Sequence, residues 1–262
     1  LNVSPVKSCR GPALERARIT ATGFEHDREW LIVHRDGRFI TQREERRLAL
    51  VDVALFASEL TLSVPGLAPL SVPRALERGE RVTVEVWRSE CEALVEPDGS
   101  RWLSQHLGRS CRLVYMPDDV ERAVSPARAR PGDIVGFQDG YPFLMISEAS
   151  LADISSRRGT PVEARRFRPN IVIRGWPAFA EDEMEELEVG SVRFWNVKLC
   201  ERCVVVGIDP ETAERGKEPL ATLATYRKTE SGVMFGANLI HTGRGLVRTG
   251  DAVVRIRHRE AQ

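Results

Sequence analysis

The sequence predicts a β-rich α+β protein, built from barrels or strongly bent sheets with a few helices. Three observations carry this. Apolar, β-branched runs are short and numerous, and turn signals such as Asp36-Gly37 and Pro65-Gly66 separate them. Helical stretches with recognisable caps are few. The 262 residues are 42% hydrophobic and 29% charged, enough to bury a core in one large unit or two smaller ones.

In chain order, Leu1 to Val6 reads as a short strand, ending in the polar loop Pro5 to Gly11. Arg18 to Thr22 is a second strand. Trp30 to Val33 is apolar, and Asp36-Gly37 turns it back into Phe39 to Thr41. Strands are expected at Leu48 to Phe56, Leu60 to Val64, Leu67 to Val72 and Val82 to Trp87. A helix from Ser100 to Leu107 stops at Gly108, and Leu113 to Met116 follows as a strand. Pro117 to Gly132 is arginine-rich with three prolines and reads as a linker. It divides the chain into units 1–116 and 133–262, with Leu1 to Val6 free to pair with the second.

Beyond the linker, Tyr141 to Ile146 leads into Ser147, an N-cap for a helix that reaches Arg158 and stops at Gly159. Strands are expected at Ile171 to Ile173, Val192 to Leu199, Cys203 to Ile208 and Val253 to Ile256. Pro219 opens a helix to Tyr226. Gly236 and Asn238 are placed in a compact polar loop. Glu181 to Glu188 holds six acids in eight residues and reads as a solvated face or short helix.

Composition excludes several classes. Net charge is zero, which argues against a dedicated nucleic-acid binder. No apolar run approaches the roughly 18 residues that span a bilayer. Five widely spaced cysteines do not form a secreted disulfide framework, so a reducing, cytoplasmic setting is expected. No phosphate-loop signature and no Ser-His-Asp ordering is present.

The densest chemistry lies at Cys200-Glu201-Arg202-Cys203, ahead of the β-branched Val204 to Val206. An adjacent guanidinium favours the thiolate, the metal-binding and nucleophilic form. A structural zinc site needs further ligands nearby, and a redox pair needs a helix to follow. That leaves buried structural cysteines, or a thiolate on a metal-bearing cofactor. Lys7-Ser8, Arg28, Arg168 and Asn170 each sit at a strand edge beside proline, glycine or a hydroxyl. Such places let cations and backbone N–H groups converge on an anion.

Together these segments resemble the MOSC-domain molybdenum cofactor proteins that carry an N-terminal MOSC β-barrel. The resemblance is strongest to the amidoxime-reducing components and their bacterial relatives. Pro5-Val6-Lys7-Ser8-Cys9, Asp27-Arg28-Glu29-Trp30 and Ser147-Glu148-Ala149-Ser150 carry it. So do Phe167-Arg168-Pro169-Asn170, Cys200-Glu201-Arg202-Cys203, Lys217-Glu218-Pro219-Leu220 and Phe235-Gly236-Ala237-Asn238. The resemblance implies an N-terminal β-barrel packed on a C-terminal mixed β-barrel. It implies that Cys203 binds molybdenum and is the catalytic ligand. Lys7, Ser8, Arg28, Arg168, Asn170 and Arg202 would hold the pterin and its phosphate, with Tyr141, Ser147 and Asn238 as further contacts.

The implied reaction is two-electron reduction of N-hydroxylated compounds such as amidoximes and hydroxylamines. No cysteine follows Cys203, so electrons are expected from a separate flavin, haem or iron–sulfur protein. Glu181 to Glu188 and the arginines at 157–158 and 165–166 are the charged patches that would steer such a donor, and the arginines fit an acidic one better. The alternative is a sulfur carrier or cofactor-transfer module without reductase activity.

Overall fold

The computed structural model describes residues 1–124 and 128–258. Strands Trp30–Val33, Arg112–Tyr115, Ser89–Glu96 and Arg81–Val86 form one antiparallel sheet in that order. Asp52–Leu55, Glu59–Val64 and Leu67–Pro73 form a second. In Glu59–Val64 every second residue, Leu60, Leu62 and Val64, is buried. Those leucines meet Trp30 and Ile32 of the first sheet and Leu103 of the helix Pro97–Leu107 in one core. That helix starts where Pro97 needs no N–H partner and the Glu96 carboxylate caps Gly99, and it ends at Gly108 with φ +60°.

The C-terminal part is organised on a seven-stranded sheet. Its path is Ile171–Ile173, Phe143–Ser147, Gly232–Thr242, Val192–Arg202, Met184–Val189 and Val253–His258, with Lys228–Thr229 beside the third strand. Gly232–Thr242 is the hub, paired along both edges. The loop expected at Gly236 and Asn238 is therefore wrong: both lie in this strand. Its centre lacks β-branched residues, which hides it from the sequence. Gly236 takes φ +81°, and a Cβ there would meet Ile146 Cγ2 at 2.7 Å and the Met145 carbonyl at 2.8 Å.

Other expectations also need correction. Cys203 to Ile208 is no strand. Val204–Gly207 forms a 3-10 turn, closed by Val206 N–H to Cys203 O at 3.2 Å. Packing of Val206 against Phe235 and Leu223 overrides the β-propensity of three valines. Leu1 to Val6 forms only isolated bridges, Asn2 to Ala13 and Val6 to Trp30, because Pro5 has no N–H to continue a ladder. Asn2 N–H instead donates to Asn170 O at 2.8 Å. The acidic run is not a solvated face throughout: Glu181 is fully buried and accepts from Ser147 N–H and the Ser150 hydroxyl.

Residues from the start of the chain join the C-terminal core. Arg16–Thr20 pairs with Gly245–Arg248 on one edge and Gly23–Phe24 on the other. Ala17, Ile19 and Phe24 pack with Phe143 and Phe194. The expected linker is partly packed: Arg122–Ala123 pairs with Ile134–Val135, and buried Arg122 donates to Gly136 O and Gln138 O. Residues 125–127 of that stretch lie outside the described residues. Among the described residues, no helix is long and apolar enough to cross a membrane.

Candidate functional site

A cavity of about 190 Å³ lies where the two parts meet. The Pro5 to Gly11 loop brings Lys7 and Ser8 to it, and the turn before Trp30 brings Arg28. Arg168 and Asn170 arrive just ahead of the parallel edge strand, Tyr141 ahead of Phe143–Ser147, and Asn238 from the hub. Arg202 and Cys203 come from the end of Val192–Arg202. That strand shifts register between Asn196 and Lys198 and again between Leu199 and Glu201. Such bulges turn a strand end and re-aim its side chains.

Nine of the ten predicted site residues line this one cavity. Ser147 does not. It is fully buried behind it, where its hydroxyl accepts from Ser150 N–H at 3.0 Å and starts the helix Glu148–Arg158. A capping role accounts for its buried position.

Ser8, Arg28 and Arg168 share an uncommon feature. Their φ angles are +72°, +54° and +56°, in the region that side-chain-bearing residues avoid. Each costs about 1 kcal/mol or more and persists only where the surroundings fix it. Arg28 is fixed by its N–H on Ser4 O and by Phe137 N–H on its own carbonyl. Asn170 ties the segments together: its Oδ1 accepts from Leu144 N–H and Arg28, and its Nδ2 donates to Asn2 O.

The cavity is electropositive. Lys7, Arg28, Arg43, Arg166, Arg168 and Arg202 line it, against Asp139 and Glu201. Arg28 is held by buried Asp27 at 2.5 Å and donates to Arg168 O. Arg168 has no carboxylate partner among the described residues and donates to Cys9 O at 2.8 Å. Burial and the neighbouring Arg28 push its pKa down to about 10, so it stays cationic at neutral pH. Arg202 stacks on Phe167 and donates to Cys200 Sγ at 2.9 Å and Phe167 O at 2.7 Å. Its Nε is buried with no partner.

Lys7 is buried and donates to Phe137 O and Asp139 Oδ1. Burial pushes its pKa down to about 8, Asp139 pulls it back, and Arg28 and Arg122 add to the fall. The Asp139 carboxylate faces the open side, 61% exposed. Desolvation in the recess raises its pKa. The Lys7 charge, the Trp87 N–H and the Arg43 charge outweigh that and hold it below the usual carboxylate range.

A pH dependence follows. Below about pH 8, Lys7 is protonated with or without an anion in the cavity. Above it, the free protein loses a proton that the complex keeps. Affinity for inorganic phosphate is therefore expected to fall about tenfold per pH unit above that point. Calorimetric titrations from neutral to alkaline pH check this, and Lys7→Met should flatten the curve.

Arg43 and Trp87 are absent from the sequence prediction. Arg43 donates to Cys203 Sγ at 3.3 Å and lies over the Trp87 ring at 4.8 Å, while Trp87 Nε1 donates to Asp139. Arg43 sits in the charged run Gln42 to Arg47, where nothing distinguishes it from its neighbours. Asp139-Gly140, directly before an apolar strand, is the one signal that points to this rim.

Among the described residues no cluster of three His, Cys, Asp or Glu side chains could hold a bare metal ion. Burial raises the thiol pKa of Cys9 to about 12 and also raises those of Cys91 and Cys111, which disfavours their thiolates. The cavity thus offers soft sulfur on one wall and cations on the others.

The family model of the MOSC N-terminal beta barrel domain matches residues 1–110, and that of the MOSC domain matches residues 132–254. The chain belongs to the MOSC family, with a MOSC N-terminal β-barrel domain. It is 34% identical to the mitochondrial amidoxime-reducing component 1 of Homo sapiens, over 96% of this chain and 80% of that protein. With the Mus musculus protein of the same name, identity is 35% over 96% of this chain and 79% of the other. The molybdenum cofactor sulfurase of Oryza sativa is 31% identical over 89% of this chain but only 31% of its own length. Membership in this family connects the chain to the molybdenum cofactor.

Proposed function

We propose that this MOSC protein is a molybdenum cofactor-dependent reductase of N-hydroxylated compounds, amidoximes and hydroxylamines among them. One observation carries the reading. Cys203, Arg168 without a carboxylate partner, and Arg202, whose buried Nε has no hydrogen-bond partner among the described residues, line the same cavity. The residues fit a sulfur-rich, phosphate-bearing metal cofactor. Cys203 would supply the soft ligand. Lys7, Arg28, Arg168 and Arg202 would hold the phosphate. Ser8, Tyr141, Asn170 and Asn238 would line the pterin. When bound, such a cofactor supplies two-electron chemistry at a sulfur-ligated metal.

The protein's own residues position and insulate. The Arg28–Asp27 pair and Asn170 fix the anion pocket before anything binds. Arg43 and Trp87 wall the mouth beside Cys203. The net reaction is an N–OH compound, two electrons and two protons giving the N–H compound and water. The sequence has no flavin or nicotinamide fingerprint, so a separate redox protein supplies the electrons. Five free thiols suit a reducing, cytoplasmic setting.

Metal analysis of the purified protein is expected to return one molybdenum per chain. A reduced viologen should drive benzamidoxime to benzamidine, and NADH alone should not. The sulfurase match favours a second reading, in which Cys203 carries sulfur or the cofactor is passed on. A molybdenum-loaded protein that leaves benzamidoxime untouched with viologen rejects the reductase reading in favour of the second.

A further inference from the structure

On the outer face of the turn Val204–Gly207 lies a groove of about 690 Å³. Val204, Leu220, Ala221 and Val233 make an apolar floor, and Arg215, Lys217 and Lys228 stand on its rim. Among the described residues no Asp or Glu lines it. The three cations are exposed and have no ion-pair partner among the described residues. A second cleft on the same turn, lined by Arg43, Arg46, Arg215 and Glu44, extends this basic edge toward the cavity mouth. Its single acid is already held by Arg109 and His34.

The turn is a thin wall. Val204 faces the groove, while Cys203, Val205 and Val206 line the cavity. Three of the four arginines at 157–158 and 165–166, which the sequence favours as a docking face, are neutralised: Asp153 holds Arg157, Glu163 and Glu211 hold Arg165, and Asp209 holds Arg166, while Arg158 donates to Pro161 O. With zero net charge overall, any steering field must be local.

We infer that this groove docks a small acidic electron-transfer protein, whose carboxylates ring the exposed edge of its redox group. The inference rests on the reductase reading and names its partner. An apolar centre with a charged rim is the anatomy of a transient interface, and opposite charge steers the encounter. The partner gives up two electrons per turnover and leaves oxidised. The two protons come from solvent.

The test uses the holoenzyme and reduced flavodoxin, an acidic flavin protein, as the probe. The triple variant Arg215→Glu, Lys217→Glu, Lys228→Glu changes only exposed side chains. Flavodoxin affinity is expected to weaken on the order of tenfold with a flatter salt dependence. The viologen-driven rate should stay the same, and Arg157→Glu with Arg158→Glu should change neither. Unchanged flavodoxin affinity in the triple variant overturns the proposal, as does equal loss of the flavodoxin- and viologen-driven rates. A wild-type protein inactive with viologen, yet binding flavodoxin through this groove, rejects the reductase reading and leaves the docking surface standing.

Discussion

Cys203→Ser is expected to fold normally and to purify without molybdenum. The side chain is half-buried at the start of a turn and its backbone geometry suits serine equally well, so stability should move by no more than about 0.5 kcal/mol. An alcohol does not replace a thiolate on a soft metal, so the loss should be complete rather than graded. Cys200→Ser is the internal control. Its sulfur is turned onto the Arg202 guanidinium at 2.9 Å, and it should keep metal and activity. Metal content and benzamidoxime reduction measured on both variants decide the ligand. Retention of molybdenum in Cys203→Ser would overturn the assignment.

Arg168→Met and Arg28→Met should have opposite effects on the apo protein, although the two arginines touch. Arg168 is a cation without a carboxylate beside a second cation, and removing it relieves repulsion. The apo protein should gain about 1–2 kcal/mol. Arg28 neutralises Asp27, whose side chain has no exposed surface. Removing Arg28 strands that charge and should cost about 3–5 kcal/mol. Both variants should bind the cofactor phosphate more weakly, by about 1.5–3 kcal/mol for each lost charged contact, or roughly 10- to 150-fold. Urea unfolding and cofactor retention measured side by side show whether Arg168 is kept for binding at the expense of stability. A destabilised Arg168→Met would mean that its bond to Cys9 O matters more than its charge.

Much of this was legible in the residues. Strands with strict alternation, such as Glu59–Val64, and helices with clear caps, such as Glu148–Arg158, could be read locally. The cations that line the cavity could be named because loop position and family pattern agreed. The hub strand Gly232–Thr242 could not be read, since Gly236 breaks its alternation and its stability comes from two neighbours distant in sequence. The turn after Cys203 was hidden by its valines, and only the folded chain reveals the packing of Val206 against Phe235. Ser147 caps a helix and does not line the cavity; a cap and a ligand contact look identical when only the residue type is known. Arg43 carries no local mark at all, because its meaning comes from a sulfur 160 residues away.

The pairing of Arg16–Thr20 with Gly245–Arg248 also sets a timetable. On a ribosome adding about 5–20 residues per second, the first of these strands waits roughly 10–50 s for the second. Throughout that interval its outer edge is open, and Ala17 and Ile19 wait on Val247 to complete the core they share with Phe24, Phe143 and Phe194. The positions of these two strands in the chain thus define a window in which the nascent edge is unpaired. Asn238 is made only shortly before the closing strand. The cavity is therefore completed late in synthesis, because its lining draws on both ends of the chain, from Lys7 to Asn238.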